Sequence, residues 1–128
     1  MSDIYDYFPD YELECRCGCG YGARDMVPSF MGRLIAVRVE LNAAMALTSA
    51  FRCRAYNSRV SSTGGHGPHT TGRAVDVRIA GEKAYRLIAL SLAHGMTGIG
   101  VRQKGDWLAR FIHLDDLSGE KRPRVWSY

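Results

Sequence analysis

His69-Thr70-Thr71-Gly72-Arg73-Ala74-Val75-Asp76-Val77-Arg78-Ile79 carries the pattern on which the fold turns. From Arg73 to Ile79 the residues alternate, with Ala74, Asp76 and Arg78 on one side and Val75, Val77 and Ile79 on the other. That two-residue period is a β-strand's. The apolar set faces a core, so Asp76 faces the other way. A carboxylate in mid-strand, flanked by valines, is costly to bury without a partner, and a metal ion answers that cost. His69 precedes the strand, and Gly72 between them allows a sharp turn, so both side chains can converge on one point.

A second polar pair lies further along, in Trp107-Leu108-Ala109-Arg110-Phe111-Ile112-His113-Leu114-Asp115. This stretch is predicted as a strand returning from the short glycine-flanked strand Gly98-Ile99-Gly100-Val101-Arg102, with Gly105-Asp106 as the hairpin turn. His113 and Asp115 are two apart and share one face. Two imidazoles and one carboxylate suit a catalytic zinc ion, because such a set leaves a fourth position for water. His69, Asp76 and His113 are therefore the candidate metal ligands.

Working outward, Phe30, Leu34, Val37, Leu41 and Met45 recur at three- and four-residue intervals and predict an amphipathic helix over 29–45, with Pro28 and Ser29 at its start. Residues 47–52 read as a short strand and 53–68 as a long loop, a length often tied to function. A second helix is predicted over 82–94, with Ala84, Leu87, Ile88 and Ser91/Leu92 inward and Gly95 as its left-handed stop. Residues 1–27 read as a turn-rich lead-in containing cysteines. The order helix, strand, strand, helix, hairpin predicts an α+β fold with a mostly antiparallel sheet and two main helices.

The chain has 128 residues, 46% of them hydrophobic, enough for a single domain with one core. No apolar stretch approaches the roughly 18 residues of a membrane span. The start, Met1-Ser2-Asp3-Ile4-Tyr5-Asp6-Tyr7, is polar and acidic, unlike a signal peptide, so a cytoplasmic location in the producing cell is expected. The net charge of +4 comes from scattered basic residues. Their densest cluster, Lys121-Arg122-Pro123-Arg124, lacks the interleaved aromatics of a single-strand binder, so no nucleic-acid partner is expected. A monomer is the simplest expectation. Cys15, Cys17, Cys19 and Cys53 leave three readings open: a second, structural metal site, disulfides, or free thiols.

His-x-x-Gly-x-Ala-x-Asp at 69–76, Gly-Ile-Gly at 98–100 and Phe-x-His-x-Asp at 111–115, taken in order, resemble the zinc D-Ala-D-Ala carboxypeptidase family, peptidase family M15. The Cys-x-Cys-Gly-Cys lead-in and the closing Trp-Ser-Tyr resemble its compact phage-type branch of murein peptidases, often endolysins. The resemblance implies a hedgehog/DD-peptidase fold and one zinc held by His69, Asp76 and His113. It also implies peptidoglycan stem peptides as substrate, cleaved at the cell wall after release. Arg52, in Ser49-Ala50-Phe51-Arg52, matches the family's Ser-Gly-Tyr-Arg and is implied to bind substrate or stabilise the oxyanion.

Two positions depart from the family pattern. Gly67 stands where a serine is usual. Arg110 stands where many relatives carry the Glu or Asp that serves as general base, and a guanidinium cannot accept a proton at neutral pH. Asp115 and Asp106 are the neighbouring carboxylates that can take the role. Asp115 is on the correct face, though it can instead orient His113 or pair with Arg110. The missing acid also supports an alternative, a catalytically weak or inactive metal-stabilised binding or assembly module of a phage particle. His66, in a glycine-rich loop, is either exposed or has a catalytic or substrate-binding role. Trp126 and Tyr128 either line a groove for a glycan or peptide stem or serve core packing or docking of the tail.

Overall fold

The computed structural model describes residues 6–128, so the polar, acidic stretch at residues 1–5 lies outside the described residues. Among the described residues, four α-helices, α1 (Asp10–Leu13), α2 (Pro28–Leu41), α3 (Arg54–Val60) and α4 (Gly81–Ala93), accompany five strands. These are β1 (Ala46–Ser49), β2 (Ala74–Arg78), β3 (Gly98–Arg102), β4 (Phe111–Asp115) and β5 (Arg124–Ser127). They form one sheet in the order β1-β2-β4-β3-β5. Every pairing is antiparallel except β3 with β5, which is parallel. The expected α+β class with a mostly antiparallel sheet is what the chain adopts. Among the described residues, no helix is long and apolar enough to cross a membrane.

Alternation along the strands divides the sheet into two unlike faces. Leu47, Val75, Val77, Ile99, Ile112 and Leu114 share one core with Phe30, Met31, Leu34, Val37 and Leu41 of α2 and with Ala84 and Leu87 of α4. Asp76, His113 and Asp115 occupy the alternate positions and are buried on the opposite face. The core packing holds the strand register, and the register decides which polar side chains meet.

Local chemistry explains where the elements differ from expectation. Helix α2 ends at Leu41 rather than near residue 45, because Asn42 takes a left-handed conformation (φ 53°). Met45 still reaches the core from the following turn. The expected loop over 53–68 contains α3 and a 3-10 turn at Gly64–His66. The stretch expected as a strand from 107 opens instead as a 3-10 turn, Trp107–Ala109, because the Asp106 carboxylate accepts a hydrogen bond from the Leu108 N–H. Leu92 points to solvent at 58% exposure, leaving Ala84, Leu87 and Ser91 buried on the inner stripe of α4, with Ile88 partly buried against the same core. Gly95, at φ 88°, terminates α4 as expected.

Candidate metal centre

Asp76 and His113 lie directly opposite each other in the β2–β4 register. Asp76 Oδ1 is 3.0 Å from His113 Nδ1 and 3.3 Å from His69 Nε2. One ligand atom from each of the three residues lies within 4.8 Å of the others. His69 is carried there by a 3-10 turn, Pro68–Thr71, which ends at Gly72 in the left-handed region (φ 75°). A Cβ on Gly72 would sit 2.2 Å from the Asp25 carbonyl oxygen, so this turn also needs glycine for its close approach to the N-terminal segment.

The outward nitrogens of both imidazoles are fixed. His69 Nδ1 donates to the Ala50 carbonyl at 2.8 Å, which leaves Nε2 directed at Asp76. His113 Nε2 donates to Asp115 Oδ2 at 2.7 Å, which leaves Nδ1 directed at Asp76. Asp115 is fully buried and binds the Arg122 guanidinium through both oxygens, each at 2.9 Å. An acceptor on the far nitrogen is how a metal-bound histidine is oriented and made more basic. His113 has a carboxylate at each nitrogen, so its ring must carry two protons unless a cation replaces one. The donor set therefore fits a divalent ion such as zinc, with His69 Nε2, His113 Nδ1 and Asp76 offering the ligand atoms.

The charges are strongly coupled. Burial pushes the Asp76 carboxyl up, yet hydrogen bonds from His113 and His69 outweigh it and hold the group below the usual carboxylate range. Burial likewise opposes ionisation of Asp115, but His113 and Arg122 lower it to about 2. Burial works against the His113 imidazolium, and its bonds to Asp115 and Asp76 still raise it above the ordinary imidazole value.

Glycines on β3 make the space for this network. A Cβ on Gly98 would lie 2.2 Å from Asp115 Oδ1, and one on Gly100 would lie 2.7 Å from Trp126 Nε1. Gly100 pairs with His113 on one side and Trp126 on the other, so the indole passes over it and packs on the His113 ring at a centroid distance of 5.0 Å. Ile99, between the two glycines, faces the core. The Gly-Ile-Gly pattern is thus a site face with no side chains and a core face with one.

Arg52 is aimed at the same point. An irregularity in the β1–β2 register sets Ser49 opposite Asp76. Arg52 Nε donates to Ser49 Oγ at 2.9 Å and Nη1 to Asn57 Oδ1 at 3.1 Å, while Nη2 lies 3.5 Å from Asp76 Oδ2. Asn57 also donates to Thr63 Oγ1 at 2.9 Å and to the Gly64 carbonyl. Gly67 is explained here: a Cβ on it would lie 2.0 Å from Thr63 Oγ1 and 2.8 Å from Asn57 Nδ2. The Thr63 hydroxyl fills the space that the usual serine would need. Gly67→Ser should therefore cost about 1–3 kcal/mol by overpacking. Adding Thr63→Gly should restore part of that in urea denaturation. Equal stability of Gly67→Ser and wild type would contradict this packing.

These side chains line a cavity of about 870 Å³. Arg52, Lys121, Arg122 and Arg124 bring positive charge to its walls, and Trp126 and Tyr128 form an aromatic side. Asp76 is the one carboxylate among the described lining residues. His66 and Trp126, expected as substrate contacts, both line it. Asp106 does not; it caps the turn at Trp107–Ala109. Arg110 donates to the Gly105 carbonyl and stacks on Trp107, away from the cavity. Asp115 lies beneath the cavity and is engaged by His113 and Arg122, not by Arg110. Sequence reasoning missed Asn57 and the Asp115–Arg122 pair. The Arg52-x-x-x-x-Asn57 spacing was the signal for the first, and nothing in the sequence marked the second. The four cysteines also come together, in a separate cluster.

Comparison with known proteins gives one result that bears on identity. No curated protein and no solved structure matches the chain significantly. The model of the peptidase M15 family matches residues 6–115, which include the four cysteines, Arg52 and all three candidate ligands. The chain belongs to the peptidase M15 family.

Proposed function

We propose that this protein is a zinc-dependent peptidase that cleaves the stem peptides of peptidoglycan, as a carboxypeptidase or an endopeptidase. The observation that carries the reading is the convergence of His69 Nε2, Asp76 and His113 Nδ1, with each ring held from behind, on a positively charged cavity. Stem peptides are anionic and extended, which suits basic walls and an open groove. Such a substrate places the site of action at the cell wall, after release from the producing cell.

A zinc ion at this centre supplies Lewis acidity toward the scissile carbonyl and the attacking water. The chain's own residues do the rest. Arg52 presents its remaining N–H groups beside the centre, where they bind a substrate carboxylate or the oxygen that gains charge in the transition state. Trp126 forms the wall against which the peptide lies. Asp115 is a positioning residue: it fixes the His113 tautomer and does not meet the substrate. Proton acceptance from water is assigned to His66, the imidazole on the cavity wall that is not among the candidate ligands. His66→Ala should lower kcat by about 10²–10⁴-fold while zinc content is unchanged. An unchanged kcat would remove His66 from this role.

The direct test incubates zinc-loaded protein with monomeric and cross-linked muropeptides and follows the products by mass spectrometry. Cleavage that stops on metal removal and returns with zinc is expected. The single carboxylate on the cavity wall favours one rival, a metal-stabilised binding or assembly module. Muropeptides bound but left intact by zinc-loaded protein would establish that rival.

A further inference from the structure

The geometry points to a second metal site, structural and separate from the first, in which Cys15, Cys17, Cys19 and Cys53 hold a soft divalent ion such as zinc as a tetrathiolate. Three cysteines at alternate positions of an extended chain would hold their sulfurs about 6.6–7 Å apart from one to the next. Here all four Sγ atoms lie within 4.8 Å of one another. The chain is curled to achieve this. Gly18 and Gly20 sit between and just after the cysteines at φ 80° and 92°. A Cβ at either would meet nothing within 4 Å, so glycine serves backbone curvature there and not space. Gly18 N–H donates to the Cys15 carbonyl at 3.3 Å, and Cys15 N–H donates to the Tyr21 carbonyl at 2.9 Å, closing the base of the loop.

The sulfur spacing identifies the chemistry. Cys17 Sγ is 3.4 Å from Cys15 Sγ and 3.6 Å from Cys53 Sγ. Sulfurs about 2.3 Å from a tetrahedral zinc stand about 3.8 Å apart. One sulfur is close to two others at once, an arrangement that pairwise bonding does not call for. Backbone amides also point at the sulfurs: Cys53 N–H donates to Cys15 Sγ at 3.3 Å and Tyr56 N–H to Cys53 Sγ at 3.4 Å. Such donors favour thiolates, the form that binds a metal. Four protein ligands leave no open position, so the site is structural.

Its place in the fold gives it a task. Three ligands come from the lead-in, and the fourth is the residue after Arg52. The Arg52 N–H donates to the His69 carbonyl at 3.0 Å. A metal at the cysteines therefore ties residues 15–19 to the segment from which Arg52 and His69 reach the histidine–aspartate centre. This inference does not depend on the proposed peptidase activity.

The test uses the full chain, purified under reducing conditions, with zinc and cobalt as probes. Wild type should hold two equivalents of zinc, and His113→Ala and Cys17→Ser/Cys19→Ser one each. Cobalt-loaded wild type and His113→Ala should show sulfur-to-cobalt charge-transfer absorption, and the double serine variant should lose it. Wild type alone suffices if the variants fold poorly: saturating zinc should protect all four thiols from alkylation. Wild type that lacks the cobalt–thiolate band, alkylates freely in saturating zinc, or carries disulfides under these conditions would overturn the site.

Discussion

His113→Ala is expected to empty the histidine–aspartate centre and to cut stem-peptide cleavage by at least about a thousandfold, since Lewis-acid stabilisation contributes several kcal/mol to such a transition state. The substitution removes more than one ligand atom. His113 separates two buried carboxylates, Asp76 and Asp115, and donates to both. Without the imidazole these anions face each other across a cavity, and Arg122 alone balances Asp115. A loss of stability should accompany the loss of metal, and a thermal melt run beside the assay separates the two effects. A folded variant without zinc at this centre that still cleaves would contradict the assignment.

Asp115 produces the second large effect, and its form distinguishes two roles. Asp115→Ala leaves the Arg122 guanidinium, whose side chain is 9% exposed, without a counter-charge, and leaves His113 without an acceptor. Breaking a buried pair on one side costs about 3–5 kcal/mol, so this variant should be much less stable. Asp115→Asn keeps the volume and loses the charge. It should weaken zinc binding by about 10–100-fold, the usual consequence of losing the group behind a metal-bound histidine. Cleavage by Asp115→Asn should then recover at high zinc. A general base would behave otherwise, with zinc affinity intact and kcat lost at any zinc concentration. Gly98→Ala should resemble the Asp115 variants, because its methyl group would fall 2.2 Å from Asp115 Oδ1.

The parts of the fold that the sequence reveals are those set by burial on one side. Phe30, Leu34, Val37 and Leu41 announce α2 because all face one core. Val75 and Val77 announce β2 for the same reason, and they make Asp76 conspicuous as a buried charge needing a partner. The three candidate ligands were legible because their residue types and order carry the chemistry. Other features depend on contacts distant in sequence. Strand β5 shows no alternation, since Val125 is 71% exposed and the strand is fixed by pairing with β3. Helix α3 buries Asn57 and no apolar residue, so it shows no hydrophobic stripe. Arg122 reads as one of a solvated basic cluster and is in fact the partly buried partner of Asp115. Arg110 reads as a lost base, but its side chain turns back to Gly105. Asp115 lies on the expected face, yet a face does not say whether a carboxylate meets substrate or stands behind a ligand.

Anomalous diffraction at the zinc edge, from crystals of zinc-loaded protein, tests the shared metal centre most directly. A peak bounded by His69 Nε2, Asp76 and His113 Nδ1, with His113 Nε2 still on Asp115, is the expected result. No peak between those three side chains, or an ion bound to the Nε2 side of His113, would contradict it.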